Sequence, residues 1–179
     1  MTVSILRIGH RLVRDDRTTT HVALVARAFG CSDMYMTDTD DSIKLKLEDV
    51  SKRWGYSSFK LHLIDNWKHM LKNWKKDHGD KGKVVHLTMY GININNIISE
   101  IQQSIDHILI IIGAEKVPKE IFMLSDYNIS ISNQPHSEIS ALSVFLDRFF
   151  QGRQLELKFN SAKMKIIPSS NTKIVTRIE

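Results

Sequence analysis

The sequence predicts an α/β domain with a mainly parallel sheet, and two observations carry that prediction. Apolar runs of strand length alternate along the chain with apolar residues at helical spacing, the pattern of strands connected through helices. One run, residues 108–112, is five consecutive apolar side chains, four of them isoleucine. A β-branched run of that length suits a strand covered on both faces, as the inner strands of parallel sheets are.

The elements follow in order. Residues 3–8 read as the opening strand, followed by a polar, arginine-rich loop over 9–17. Thr18, Thr19 and Thr20 offer hydroxyls to cap a helix carrying Val22, Val25, Ala26 and Phe29, with Gly30 placed to stop it. Residues 34–36 suit a short strand. Ile43, Leu47, Val50 and Trp54 suggest a helix, although Ile43, Leu45 and Leu47 also fit strand alternation. Residues 60–64 read as a strand, and Asp65 is placed to cap a helix with Trp67, Met70, Leu71 and Trp74 on one stripe. That stripe is expected in the core or at a subunit contact, with the lysines of 68–76 on a solvated face.

Residues 84–89 form the next expected strand, and Ile94, Ile97, Ile98 and Ile101 a helix. The strand at 108–112 and one at 127–131 follow. A last helix, starting near Pro135, buries Ile139, Leu142, Phe145, Leu146 and Phe149. After Gly152 the pattern changes to short strands at 155–159, 164–167 and 173–178, separated by turn residues. The expected division is a domain over 1–152 and a small basic β extension over 153–179.

Composition narrows the class. The chain has 179 residues, 42% hydrophobic and 25% charged, which fits a globular domain with a real core. No apolar run approaches the ~20 residues that span a bilayer. Arg7, Arg11, Arg14 and Arg17 interrupt any signal-peptide-like apolar stretch near the start, so a cytoplasmic protein is expected. The single cysteine, Cys31, excludes an intrachain disulfide and a cysteine-built zinc site. The histidines show no metal-ligand spacing. The formal charge is +5, and residues 151–179 hold six basic side chains against two acidic ones, a net of +4. Such a balance favours an anionic partner such as nucleic acid.

Ligands of open α/β folds gather beyond the carboxyl ends of the strands. Three strand ends here carry unusual loops: HLTMYG (86–91), GAEKVP (113–118) and SNQPHSE (132–138). Gly113 allows close approach to the backbone, and the third loop leads into a helix with free N–H groups. No two glycines stand in a GxG pair, which removes the dinucleotide fingerprint and the P-loop.

Taken in order, LRIGHRLVRDDRTTTHVALVARAFG (6–30), HLTMYG, GAEKVP and NQPHSE (133–138) closely resemble the archaeal tRNA cytidine-56 2′-O-methyltransferases of the SPOUT superfamily. The likeness covers roughly 6–152, and the C-terminal extension is similar too. The resemblance implies a deep trefoil knot, roughly 84–150, whose loops hold S-adenosylmethionine in a bent conformation. By it, Leu87 contacts the cofactor from the first loop. Gly113, Ala114, Glu115, Lys116 and Val117 form the second wall. Ile131, Ser132, Asn133, Gln134, Pro135, His136, Ser137 and Glu138 form the third. Ser132 stands where relatives are expected to have glycine. The implied partners are tRNA and a second copy of the chain, with no metal and no membrane.

The implied reaction moves a methyl group from a sulfonium to a ribose hydroxyl, so the protein has to supply alignment and a route for a proton. Related enzymes use an arginine of their first motif. Aligning ARAFG (26–30) with that motif puts Leu24 at the arginine's position, and a substitute is expected from Arg11, Arg14, Arg17 or Arg27. Arg17, at the loop-to-helix junction beside Asp16, is the favoured catalytic residue, while Arg11 and Arg14 are assigned to RNA phosphates. His10 and His21 flank the loop as lesser proton-transfer candidates. Glu115 is a candidate to balance the sulfonium charge or to brace its loop. Two alternatives stand beside this reading: methylation of another RNA nucleotide, and a tRNA-binding module without turnover.

Overall fold

The computed structural model describes residues 2–11, 14–39, 41–56, 58–104 and 106–178. Leu12 and Val13 of the arginine-rich loop lie outside the described residues. Six strands form one sheet: β1 (Thr2–Ile8), β2 (Asp33–Met36), β3 (Lys60–Leu63), β4 (Gly82–Asn93), β5 (His107–Gly113) and β6 (Tyr127–Ser130). Their order is β3-β2-β1-β5-β4-β6, and every pairing between neighbours is parallel. The helices are α1 (Asp16–Ala28), α2 (Asp41–Trp54), α3 (Trp67–His78), α4 (Ile98–Ser104), α5 (Glu120–Leu124) and α6 (Glu138–Phe150).

Strand alternation divides the interior into two cores. Val3 and Ile5 of β1, with Ile108, Ile110 and Ile112 of β5, face one side. There they meet Val22, Ala23 and Ala26 of α1, Ile43 and Leu47 of α2, Ile101 of α4, and Leu142, Phe145, Leu146 and Phe149 of α6. Leu6, Ile8, Leu109 and Ile111 face the other side, against Met70, Leu71 and Trp74 of α3 and Ile121 of α5. The isoleucine-rich run is therefore covered on both faces, as its composition requires. The stripe on α3 is core, with Trp67 partly buried at its margin.

Several local expectations are corrected. α1 begins at Asp16, so the three threonines lie inside it, and Thr20 bonds its hydroxyl back to the Asp16 carbonyl. Asn66, not Asp65, caps α3 by accepting from the His69 N–H. Ser137 caps α6 by accepting from Ser140, which leaves Pro135 in the preceding loop. The segment from Ile94 opens as a 3-10 turn before α4. The short helix α5 had no expectation. Residues 155–159 are not a strand: a 3-10 turn spans Arg153–Glu156. The extension is one antiparallel hairpin of β7 (Met164–Ile167) and β8 (Ile174–Arg177).

The chain builds β1-β2-β3 outwards, crosses to β4, and returns to place β5 between β1 and β4. Direction thus reverses around β1 and β5, and the carboxyl ends of β5, β4 and β6 come together beside that of β1. Ile110 is fully buried at the centre of this arrangement. Truncating it to alanine is expected to cost ~2–5 kcal/mol of stability in urea unfolding followed by circular dichroism. A loss well below that range would contradict burial on both faces.

Candidate active site

The first loop is not a simple turn. HLTMYG continues β4, and the pairing of β4 with β6 slips from Leu87 opposite Ile129 to Ile92 opposite Ile129. Residues 88–91 therefore bulge out of register, which turns Thr88 and Met89 towards the neighbouring strand ends. Gly91 permits the bulge, because a Cβ there would lie 2.5 Å from backbone atoms of Asn128 and Ile129. His86, just before the bulge, is buried and bonds Nδ1 to Asn128 Oδ1 at 2.9 Å. Burial lowers its pKa, opposed by the bond to Asn128.

The second loop leaves β5 at Gly113. A Cβ on Gly113 would meet Val117 Cγ1 at 2.4 Å and the Glu115 carbonyl at 2.7 Å, so the turn folds back tightly on the strand end. The third loop is tied to the first by Asn133, whose Nδ2 donates to the Met89 carbonyl at 2.7 Å and to the Gly91 carbonyl at 3.3 Å. Ser132 Oγ accepts from the Gln134 N–H at 3.3 Å. A serine side chain at that position thus supports the turn.

The three loops enclose a cavity of about 260 Å³. Of the predicted residues, Leu87, Gly113, Ala114, Ile131, Gln134, Pro135, His136, Ser137 and Glu138 line it. Ser132 and Asn133 brace its wall. Glu115, Lys116 and Val117 do not line it: Val117 packs towards the α3-side core, and Glu115 extends towards Gly9. Thr88, Met89, Ile112 and Ala141 line it as well. They were missed because the bulge and the inward face of α6 have no local sequence signature.

A further residue escaped the sequence reading. Arg7 of β1 is almost wholly buried; its Nη1 donates to the Gly9 carbonyl at 2.9 Å and its Nη2 to Glu138 Oε1 at 3.3 Å. It thereby links the start of the arginine loop to a side chain of the cavity. Burial lowers its pKa, opposed by the attraction of Glu138. The available signal was an arginine in phase with the inward-facing Val3 and Ile5.

The arginine candidates separate clearly. Arg11 is held by Asp15: its backbone N–H, Nε and Nη2 all donate to that carboxylate at 2.9–3.1 Å. These bonds keep the Asp15 carboxyl well ionised, with a pKa of about 2. Arg14 and Arg17 are exposed. Arg27 is held away from the arginine loop. It is buried ten residues along α1 from Arg17, about 15 Å at helical rise, bonded to Ser51 and the Gly55 carbonyl. His10 is buried between Thr19 Oγ1 at 2.9 Å and Asp16 Oδ1 at 3.0 Å, while His21 is exposed. Gly9 lies against Ala114 and Glu115, so this loop borders the second cavity wall.

The parallel-sheet fold is similar to that of solved SpoU methyltransferases. The AviRb methyltransferase of Streptomyces viridochromogenes, solved with AdoMet, superposes with a TM-score of 0.64 at 13% identity; 85% of this chain covers 58% of that one. The TrmH/SpoU tRNA modifying enzyme of A. aeolicus gives 0.60 at 14% identity, over 86% of this chain and 76% of that one. At such identities the likeness establishes the fold.

The sequence narrows it further. Residues 54–176 match the family described as tRNA ribose 2′-O-methyltransferase, aTrm56. The chain is 46% identical to the tRNA (cytidine(56)-2′-O)-methyltransferase of Methanopyrus kandleri, over 97% of this chain and 96% of that protein. It is 49% identical to the one from Nitrosopumilus maritimus, over 98% and 96%. The chain belongs to the aTrm56 family of tRNA ribose 2′-O-methyltransferases.

Gly113→Ala tests the pocket. The added methyl has to displace Val117 or the Glu115 backbone, so affinity for S-adenosylmethionine is expected to fall about tenfold or more, equivalent to at least ~1.4 kcal/mol. Calorimetric titration checks it, with thermal unfolding as the control for folding. Unchanged affinity would place the ligand elsewhere.

Proposed function

We propose that the protein transfers the methyl group of S-adenosylmethionine to the ribose 2′-hydroxyl of cytidine 56 in tRNA. The observation that carries this reading is the convergence of three loops on one cavity in a chain belonging to a tRNA ribose methyltransferase family. The cavity residues fit the cofactor. Leu87, Ile112, Ile131, Pro135 and Ala141 offer apolar walls for an adenine ring, and the turn at Gly113 lets a ligand approach the backbone. The cavity, about 260 Å³, is slightly below the usual range of small-molecule sites. When bound, the cofactor supplies an electrophilic methyl group on a sulfonium.

The remaining work falls to this chain's residues. Loop 113–117 and loop 131–138 orient the ligand and exclude water from one side. Leu87, Gly113, Ala114, Ile131, Gln134, Pro135, His136, Ser137 and Glu138 contact it directly. Glu115, Lys116, Val117, Ser132 and Asn133 hold the walls. Arg17 assists the ribose hydroxyl from the first turn of α1, beside Asp16, whose carboxylate is already oriented by His10. Arg14 and Arg11 position RNA phosphates, Arg11 in an orientation preset by Asp15.

The same reading gives residues 1–152 as the methyltransferase domain, with a trefoil knot over roughly 84–150, and 153–179 as its extension. The enzyme works as a homodimer in the cytoplasm, where its tRNA substrate is made. The parallel placement of β6 beyond β4, on the side away from β5, is compatible with such threading. Among the described residues, no helix is long and apolar enough to cross a membrane.

Purified protein is expected to transfer labelled methyl groups to an unmodified tRNA transcript, with mass mapping placing them at the ribose of nucleotide 56. Transfer to a transcript with a 2′-deoxy residue at 56 would overturn the assignment of the acceptor oxygen. Arg17→Ala is expected to lower kcat roughly a hundredfold, the scale for removing one group that stabilises a transition state, with cofactor affinity retained. Near-normal turnover would return Arg17 to a phosphate-binding role.

A further inference from the structure

The C-terminal segment builds a second cavity, about 390 Å³, far from the first. Several contacts fasten this segment to the domain. Leu157 packs on Gly30 at the end of α1. Phe159 stacks on Tyr56 with ring centroids 4.6 Å apart, and the Arg27 guanidinium lies 5.3 Å from the centroid of the same ring. The Lys163 N–H bonds the Arg53 carbonyl at 3.0 Å. The space left between this segment and the ends of α1 and α6 is the cavity. α6 runs from the cofactor loop at Ser137 to Phe150 in the cavity wall, so a 13-residue helix separates the two sites, about 20 Å at helical rise.

Its lining has a definite chemistry. Phe29, Tyr56, Phe150 and Phe159 contribute aromatic surface; Arg153 and Lys158 contribute exposed positive charge; among the described residues no carboxylate lines it. Gln154, also in the wall, is almost wholly buried, and its Oε1 has no hydrogen-bond partner among the described residues. Its Nε2 is taken by Asp147 at 2.8 Å. Aromatic faces under a cationic rim are how proteins hold unpaired nucleotides, by stacking on the base and pairing with its phosphate. The surrounding segment, residues 151–179, carries a net charge of +4, which an RNA backbone complements.

We propose that this cavity is a second RNA-binding site, which takes an unpaired nucleotide of the tRNA about one helix length from the reacting ribose. The inference rests on tRNA being the substrate. The cavity adds binding energy remote from the chemistry, and it fixes the angle at which the RNA crosses α1 and α6.

The test compares the wild-type enzyme with Arg153→Ala/Lys158→Ala and with Ser58→Trp, which fills the cavity while keeping both cations. Steady-state methylation of a full-length tRNA transcript is measured across a salt series. The KM for tRNA is expected to rise roughly tenfold in both variants, with kcat and affinity for S-adenosylmethionine unchanged. The log–log salt slope should become shallower by about 2 in the double variant alone. A rise in KM for the double variant only would mean a plain cationic face and overturn the cavity's role. No rise in either variant, or a change of oligomeric state in Ser58→Trp, would overturn it as well.

In the wild-type enzyme, saturating tRNA should shield Lys158 from acetylation. Unhindered labelling is inconsistent with the proposal whatever the variants do. A wild-type enzyme that methylates no tRNA would instead remove the functional reading on which the inference rests.

Discussion

The structure depends on the insertion of β5 between β1 and β4. Seven residues of β1 pair with β5, from Thr2 opposite His107 to Ile8 opposite Gly113, and β4 takes the other edge. Only a strand able to bury both faces can occupy that position, and the five apolar residues after His107 meet that demand. Their alternate side chains serve two different cores, so one strand fastens α1, α2, α4 and α6 on one side and α3 and α5 on the other. Its end, at Gly113, is then fixed beside the ends of β1, β4 and β6. The cavity is a consequence of that registration rather than of any loop by itself.

A buried cation reinforces the same junction. Arg7 divides its guanidinium between the Gly9 carbonyl and the Glu138 carboxylate, while its Nε has no partner among the described residues. Burying a guanidinium is costly, and a pair of this kind is weak evidence for added stability. What it does supply is geometry: the start of the arginine loop and a side chain of the cavity wall share one rigid donor. The loop is braced again by Arg11 with Asp15 and by His10 with Thr19 and Asp16, all within residues 10–19. Exposed Arg14 and Arg17 therefore project from a framework held by polar contacts that are buried or partly buried.

Much of this was legible in the sequence. The strands at 3–8, 34–36, 60–64 and 108–112 emerge within a residue or so of their expected places, because each is an apolar run bounded by polar or turn residues. Helix starts were read less well. Thr18, Thr19 and Thr20 look like caps but lie inside α1; the cap of α3 falls on Asn66 rather than the adjacent Asp65, which has similar capping ability, and α6 starts after Pro135 because the Ser137 hydroxyl caps it. The cavity was half legible. Its loops stand out as motifs, yet the bulge after Leu87 depends on the backbone of β6, and Ala141 faces inward only once α6 has docked. Val117 shares a motif with Gly113, but the tight turn carries it towards the α3-side core. A linear string does not record that reversal.

The position of β5 also constrains how the chain reaches its final form. β1, β2 and β3 come from the first third of the sequence and can pair among themselves, but β1 then keeps one edge open for more than forty further residues. That edge carries unpaired backbone groups flanked by Val3, Ile5 and Leu6, a ready template for another strand. Closing it joins residues over one hundred positions apart, and contacts that distant are slow to form. The newly made polypeptide therefore passes through a stage in which its most adhesive surface is complete but uncovered, and self-association competes with maturation until the isoleucine-rich segment arrives.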